Sequence, residues 1–228
     1  MQKIKIHVLH GDEYDINWID NAELSSEEEA DVIFYTGGTD VNSSLYGQKK
    51  GKYTGNPDVE RDTYEKEVFD KWVGKKAFVG VCRGSQLLCV LSGGTLIQHM
   101  NHPGSHRIMA LGKNYMVNST HHQMMYPFNV EHDLIAFAQE SEYHLDENDK
   151  QIDMPVLSFK AIEPEVVWFP KTQALCIQSH PEYANFPEET KIWLNEIFNK
   201  YVNKREDAPI GDLPNGNQDV LSEQKQLA

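Results

Sequence analysis

The chain has 228 residues, with 35 Asp and Glu against 21 Lys and Arg and a formal net charge of −14 at pH 7. Such a surface repels a phosphate backbone, which argues against nucleic acid as a partner. No apolar run reaches the roughly 18 residues a membrane helix needs, which argues against a membrane partner. Three cysteines, none in a C-x-x-C pair, make no disulfide framework and fit a reduced, cytoplasmic setting in which a thiol stays usable.

In chain order, Lys3–Val8 alternates and predicts a first strand, without the long apolar core of a signal peptide. Tyr14–Ile19 alternates weakly and predicts a second, short strand. Ser25–Glu29 reads as an acidic helical turn whose charges are solvated. Asp31–Tyr35 is a buried-strand run that delivers the Gly37-Gly38 turn, and the Gly-, Ser-, Asn- and Lys-rich loop from Thr39 to Pro57 lies after it. Val59–Val73 has helical spacing at Val59, Tyr64, Val68, Phe69 and Trp72, with Arg61 and Asp62 read as a salt bridge at the helix start.

The most informative stretch is Gly80-Val81-Cys82-Arg83-Gly84-Ser85-Gln86. An apolar strand run, Lys76–Val81, precedes it, and a helical run, Ser85–Ser92, follows it and ends at Gly93-Gly94. A cysteine between a buried strand and a helix, with glycine two residues away on either side, has the layout of a nucleophile elbow. The sharp turn needs small neighbours, and it places the sulfur at a helix N-terminus, where free N–H groups favour a thiolate. Cys89 and Cys176 sit on apolar runs and are read as core.

From Met109 to Lys160 the pattern shifts to short alternating pieces and turns, predicting antiparallel strands and hairpins. Ala174–Ile177 is again an apolar strand, and it runs into His180-Pro181-Glu182. A cysteine nucleophile needs a base and the base needs an orienting group; His180 and Glu182, two apart on a Pro-containing turn, can supply both. Phe186-Pro187-Glu188-Glu189 opens a closing helix to about Lys204, with Ile192, Leu194, Ile197, Phe198 and Tyr201 as its apolar stripe. Residues 205–228 are poor in apolar side chains and read as a disordered tail after one catalytic domain spanning 1–204. Strands separated by helices predict an α/β fold: a mostly parallel central sheet, helices on both faces, and a small antiparallel addition. In such sheets the ligand site lies at the carboxyl ends of the strands, where Gly37-Gly38, Cys82 and His180 would meet.

Gly80-x-Cys82-x-Gly84-x-Gln86 with a distant His180-Pro181-Glu182 resembles the class I glutamine amidotransferases, whose fold is flavodoxin-like. Thr36–Val41 followed by Leu45-Tyr46-Gly47, Arg61–Glu65, Gly93–Gln98 and Val117–Gln123 narrow the resemblance to the γ-glutamyl hydrolase (peptidase C26) branch. Within it the chain is most similar to the γ-glutamyl-γ-aminobutyrate hydrolases. The resemblance runs from about Asp31 to Tyr183. It implies a Cys82–His180–Glu182 triad, an oxyanion hole from the backbone N–H groups of Gly38 and Arg83, and a γ-glutamyl thioester. It also implies substrate contacts from Gln86 and from Ser119, Thr120, His121, His122 and Gln123. The partner expected is a small γ-glutamyl compound or glutamine. A separate synthetase fed with ammonia is the alternative, a non-catalytic binding member of the fold the second alternative, and a homo-oligomer is compatible with all three. His99, His102, His106, His121 and His122 have a spacing compatible with metal ligation. The resemblance, which carries no metal or cofactor, assigns them instead to polar loops near the pocket.

Overall fold

The computed structural model describes residues 3–11, 14–102 and 104–204; the tail expected at 205–228 lies outside the described residues. Strands β1 (Ile4–Leu9), β2 (Ala22–Leu24) and β3 (Val32–Tyr35) are followed by helix α1 (Val59–Trp72), strand β4 (Ala77–Val81) and helix α2 (Arg83–Leu91). Strands β5 (Ser105–Ala110), β6 (Lys113–Asn118), β7 (Asp133–Ala138), β8 (Glu163–Phe169) and β9 (Ala174–Ile177) come next, and helix α3 (Glu188–Tyr201) closes the order.

These nine strands form one sheet in the order β2-β1-β3-β4-β9-β8-β7-β5-β6. From β2 to β9 all neighbours are parallel; from β9 to β6 all are antiparallel. The parallel half is buried on both faces, which is why its strands read as continuous apolar runs. Alternation sorts their side chains. Val32 and Phe34 of β3 face one cluster with Leu175, Ile177, Trp193, Leu194 and Phe198, beneath α3. Ile33 and Tyr35 face the other with Phe69, Phe78, Leu87, Leu88, Cys89 and Cys176, beneath α1 and α2. Both accessory cysteines are therefore core. Among the described residues no helix is long and apolar enough to cross a membrane.

Three expectations change. Tyr14–Ile19 is not a strand: the second strand is Ala22–Leu24, and Ile16, Trp18 and Ile19 are buried against the sheet from a turn. Their spacing mimics alternation because the segment buries side chains on one side of an irregular path. On α3 the buried position is Trp193, while Ile192 is 55% exposed; the indole stacks on Tyr115 at 4.6 Å. Arg61 and Asp62 do not pair with each other. Arg61 binds Glu65 and Asp62 binds Arg83.

Candidate active site

β4 carries the chain into Cys82, whose backbone lies at φ 50°, ψ −110°, and α2 begins at the next residue. A non-glycine residue there is strained, at a cost of about 1–3 kcal/mol held by the surrounding packing. The flanking glycines are steric requirements. A Cβ on Gly80 would stand 2.6 Å from the backbone of Gly84, and one on Gly84 would stand 2.1 Å from the Tyr35 carbonyl oxygen. The elbow helix can lie against β3 and β4 only because both positions lack a side chain.

β4 and β9 are parallel neighbours, with Val81 opposite Ile177. The two strands therefore leave the sheet on the same edge, bringing Cys82 and His180 together across a sequence separation of 98 residues. His180 and Cys82 line the same cavity, and His180 Nδ1 meets Glu182 Oε1 at 2.7 Å. Its Nε2 also lies 3.0 Å from Thr120 Oγ1. The Tyr183 ring stacks on the imidazole at 4.6 Å. Asn118 fixes the backbone beneath: its Oδ1 accepts from His180 N at 2.8 Å, and its Nδ2 donates to His180 O at 3.1 Å. Burial disfavours charge on His180, but the neighbouring Cys82 sulfur and Glu182 carboxylate outweigh it and raise the imidazole from 6.5 to about 9. The Tyr14 hydroxyl, also buried, lies close enough to Glu182 that burial and the carboxylate's charge together push it well above its ordinary value.

The loop after β3 completes the site. Arg61 donates from Nη1 to the Gly37 carbonyl at 3.0 Å and from Nη2 to the Thr36 carbonyl at 3.1 Å. In a trans peptide the C=O and the following N–H point in opposite directions. Drawing the Gly37 carbonyl toward Arg61 therefore aims the Gly38 N–H the other way, toward the cavity that Gly38 lines. A Cβ on Gly38 would meet the guanidinium at 2.5 Å. Neither the Gly38 nor the Arg83 N–H has an acceptor among the described residues.

The cavity between these elements has a volume of about 220 Å³. Cys82, His180, Gly38 and Arg83 line it, as do Gln86, Thr120, His121, His122 and Gln123. Glu182 stands behind His180, and Ser119 does not reach the cavity; its backbone N–H bonds the Gly104 carbonyl instead. Gln86 is held by donation to the Gln123 carbonyl at 2.9 Å. Asp40, Tyr183 and the positioning roles of Arg61 and Asn118 were not anticipated from the sequence, although Arg61 and Asn118 both lie in the segments that carry the resemblance.

Residues 26–122 match the Peptidase C26 family. A YvdE homolog of Lactococcus lactis subsp. cremoris, described as glutamine amidotransferase-like, is 37% identical over a 119-residue alignment. That alignment covers 42% of this chain and spans 63% of the relative's length. Among solved structures, a Thermoplasma acidophilum protein described as a GMP synthase component matches with a TM-score of 0.55 at 12% identity, over 86% of this chain and 92% of its own. A glutamine amidotransferase of Thermotoga maritima matches with a TM-score of 0.51 at 15% identity, over 91% and 87%. At these identities the structural matches speak to the fold. Over residues 26–122 the chain is thus similar to the Peptidase C26 family, and its fold is that of the glutamine amidotransferase structures it matches.

Proposed function

We propose that the chain hydrolyses the γ-glutamyl amide bond of a small γ-glutamyl compound, or of glutamine, through a γ-glutamyl thioester on Cys82. The observation that carries this reading is the strained Cys82 elbow facing an imidazole that is itself held by a carboxylate, inside a cavity lined by two unengaged backbone N–H groups. In this reading His180 holds the proton taken from Cys82 as an imidazolium, and Glu182 keeps that ring in the productive orientation. The sulfur attacks the γ-carbonyl. The N–H groups of Gly38 and Arg83 receive the oxyanion, each worth about 3 kcal/mol in the transition state. His180 then protonates the departing amine, and water releases glutamate. Gln86, Thr120, His121, His122 and Gln123 line the same cavity, which supports assigning the glutamyl end to them.

The test is product release from a panel of γ-glutamyl amides. The purified chain should liberate glutamate from at least one γ-glutamyl amine with saturable kinetics, and faster than from glutamine. The likeness to the protein described as a GMP synthase component supports a second reading, a glutaminase that supplies ammonia to a separate synthetase. A chain inert on every amide tried, yet active on glutamine once a synthetase is added, would establish that reading instead.

Two predictions arise here. The imidazolium that protonates the leaving amine is lost as pH rises through about 9, so kcat/KM should fall on the alkaline side near that pH. The same raised value makes protonated His180 a stabilising group below its unfolded value of about 6.5, with that contribution lost between there and about 9. Glu182→Gln removes a carboxylate that favours the charged ring, and should move the alkaline limb down by about 1 pH unit. A limb that stays in place would exclude His180 as the titrating group. Arg61→Met should lower kcat about 100-fold with KM nearly unchanged, because the Gly38 N–H then loses its fixed aim at a charge that exists only in the transition state. An equal rise in KM would mean that Arg61 serves substrate binding.

A further inference from the structure

Behind the wall formed by His121 and Gln123, in the antiparallel half of the sheet, lies a second group of chemistry-bearing side chains that the proposed reaction does not use. His106 on β5 and Glu165 on β8 reach toward each other across β7, and His102 enters from the loop before β5. His102 Nε2 and His106 Nε2 are 3.0 Å apart, and each lies 3.1 Å from Glu165 Oε1. The three side chains are at most 1% exposed. Three donor atoms thus form a nearly equilateral triangle.

We propose that His102, His106 and Glu165 bind a divalent transition-metal ion, zinc by the nature of the donor set. Two imidazole nitrogens and one carboxylate oxygen, with a fourth position open to water, are a recognised zinc combination. Bonds of about 2.0–2.1 Å from such an ion place the ligand atoms about 2.9–3.4 Å from one another, depending on coordination number. The observed edges fall within that range, and the ion would stand about 1 Å above the triangle's plane.

The surroundings point the same way. The remaining nitrogen of His102, Nδ1, meets Glu163 Oε2 at 3.3 Å. A carboxylate on the far side of a ligating imidazole fixes the tautomer that presents Nε2 to a metal. Glu163 and Glu165 are both fully buried carboxylates; Glu163 also meets His144 Nε2 at 2.9 Å, and a dication on the triangle offsets the negative charge of Glu165. Two buried acceptors beside the triangle, Glu165 Oε2 and His121 Nε2, have no partner. His121 Nδ1 faces the Gln123 carbonyl at 2.9 Å, so it carries the ring proton and leaves Nε2 as a bare lone pair. Both acceptors lack a donor, and a metal-bound water is a donor. His106 Nδ1 is unpartnered with or without the ion and does not discriminate. Loading requires both Nε2 atoms unprotonated. The bound ion would tie β5 to β8 across β7 and brace the loop that carries His102 against the cavity wall.

The experiment uses the full chain, free of any polyhistidine tag, in a Cys82→Ala background so that no reactive thiolate can capture the ion. After chelator treatment the protein is titrated with Zn²⁺ and, separately, with Co²⁺. The expected result is about one equivalent bound per chain, a Tm raised by at least about 3 °C at saturation, and Co²⁺ visible bands without thiolate charge transfer. Glu165→Gln, which keeps the side-chain shape, and His106→Gln should each weaken Zn²⁺ binding at least 100-fold. Absence of stoichiometric binding by both ions in the parent chain overturns the proposal, whatever the variants do. So does binding that both folded variants retain. The Co²⁺ spectrum of the parent chain decides the matter if either variant fails to fold.

Discussion

Cys82→Ala is expected to lower kcat by at least about 10⁴-fold while leaving the fold intact. The size of the loss follows from the proposed chemistry: on that reading there is no thioester without the sulfur, and oxyanion donors and substrate binding alone provide only a small residue of the rate. The intact fold follows from geometry, because alanine retains the Cβ already accommodated in the elbow. Cys82→Gly makes a sharper test of the strain. At φ 50°, ψ −110° glycine has no Cβ to strain, so the glycine variant should be as stable as the alanine variant or more so, by about 1 kcal/mol, reversing the order seen at ordinary helix and strand positions. Both should be inactive. Urea unfolding of the two variants, with circular dichroism to show a native spectrum, checks the stability half; glutamate release checks the other. Turnover retained by a clean alanine preparation would remove Cys82 from the reaction.

Much of this site can be read along the chain because its geometry is local. Gly80 and Gly84 bracket Cys82 for a steric reason that shows in the spacing itself, and His180 and Glu182 are two residues apart. The meeting of the two ends of the site also follows from pattern: Lys76–Val81 and Ala174–Ile177 are the continuous apolar runs that a sheet buried on both faces requires. What the pattern does not carry is the pairing of charged and polar side chains over long sequence separations. Arg61 is adjacent to Asp62, yet in the fold its guanidinium turns to Glu65 and to the loop after β3. Asn118 meets His180 62 residues away. The histidines separate in the same way. His99 faces His122, while His102 and His106 meet Glu165, which periodicity presents only as one more residue of an apolar strand. Ile192 and Trp193 illustrate a smaller limit: a helix stripe one residue wide of the true one fits the spacing almost as well, and the packing partner, Tyr115, lies on a strand far back in the chain.

The second large effect is expected from Glu65. Its carboxylate is fully buried and receives Arg61 Nε at 2.8 Å on one oxygen and Arg83 on the other. Arg83, 1% exposed, also pairs with Asp62, whose second oxygen accepts from the Asn42 backbone at 2.9 Å. Two guanidinium groups thus face two carboxylates with almost no water. Taking all four charges out of solvent is costly, so the network is not a large net source of stability compared with an apolar core. Its balance is what matters. Glu65→Leu leaves two cations against one carboxylate and should cost about 3–5 kcal/mol, a fall in Tm of about 10 °C for a chain of this size. It should also depress kcat, because Arg61 loses the partner that steadies its hold on the Gly37 carbonyl. Arg83→Met should be destabilising for the opposite reason, one cation against two carboxylates. The double variant restores neutrality, with Arg61 and Asp62 remaining. Its loss of stability should therefore fall short of the sum of the two single losses by at least about 1.5 kcal/mol. Urea midpoints for the two single variants and the double one measure that difference directly. Additive losses would show that Glu65 and Arg83 act independently, and that charge balance is not what keeps the clamp between α1 and the elbow in place.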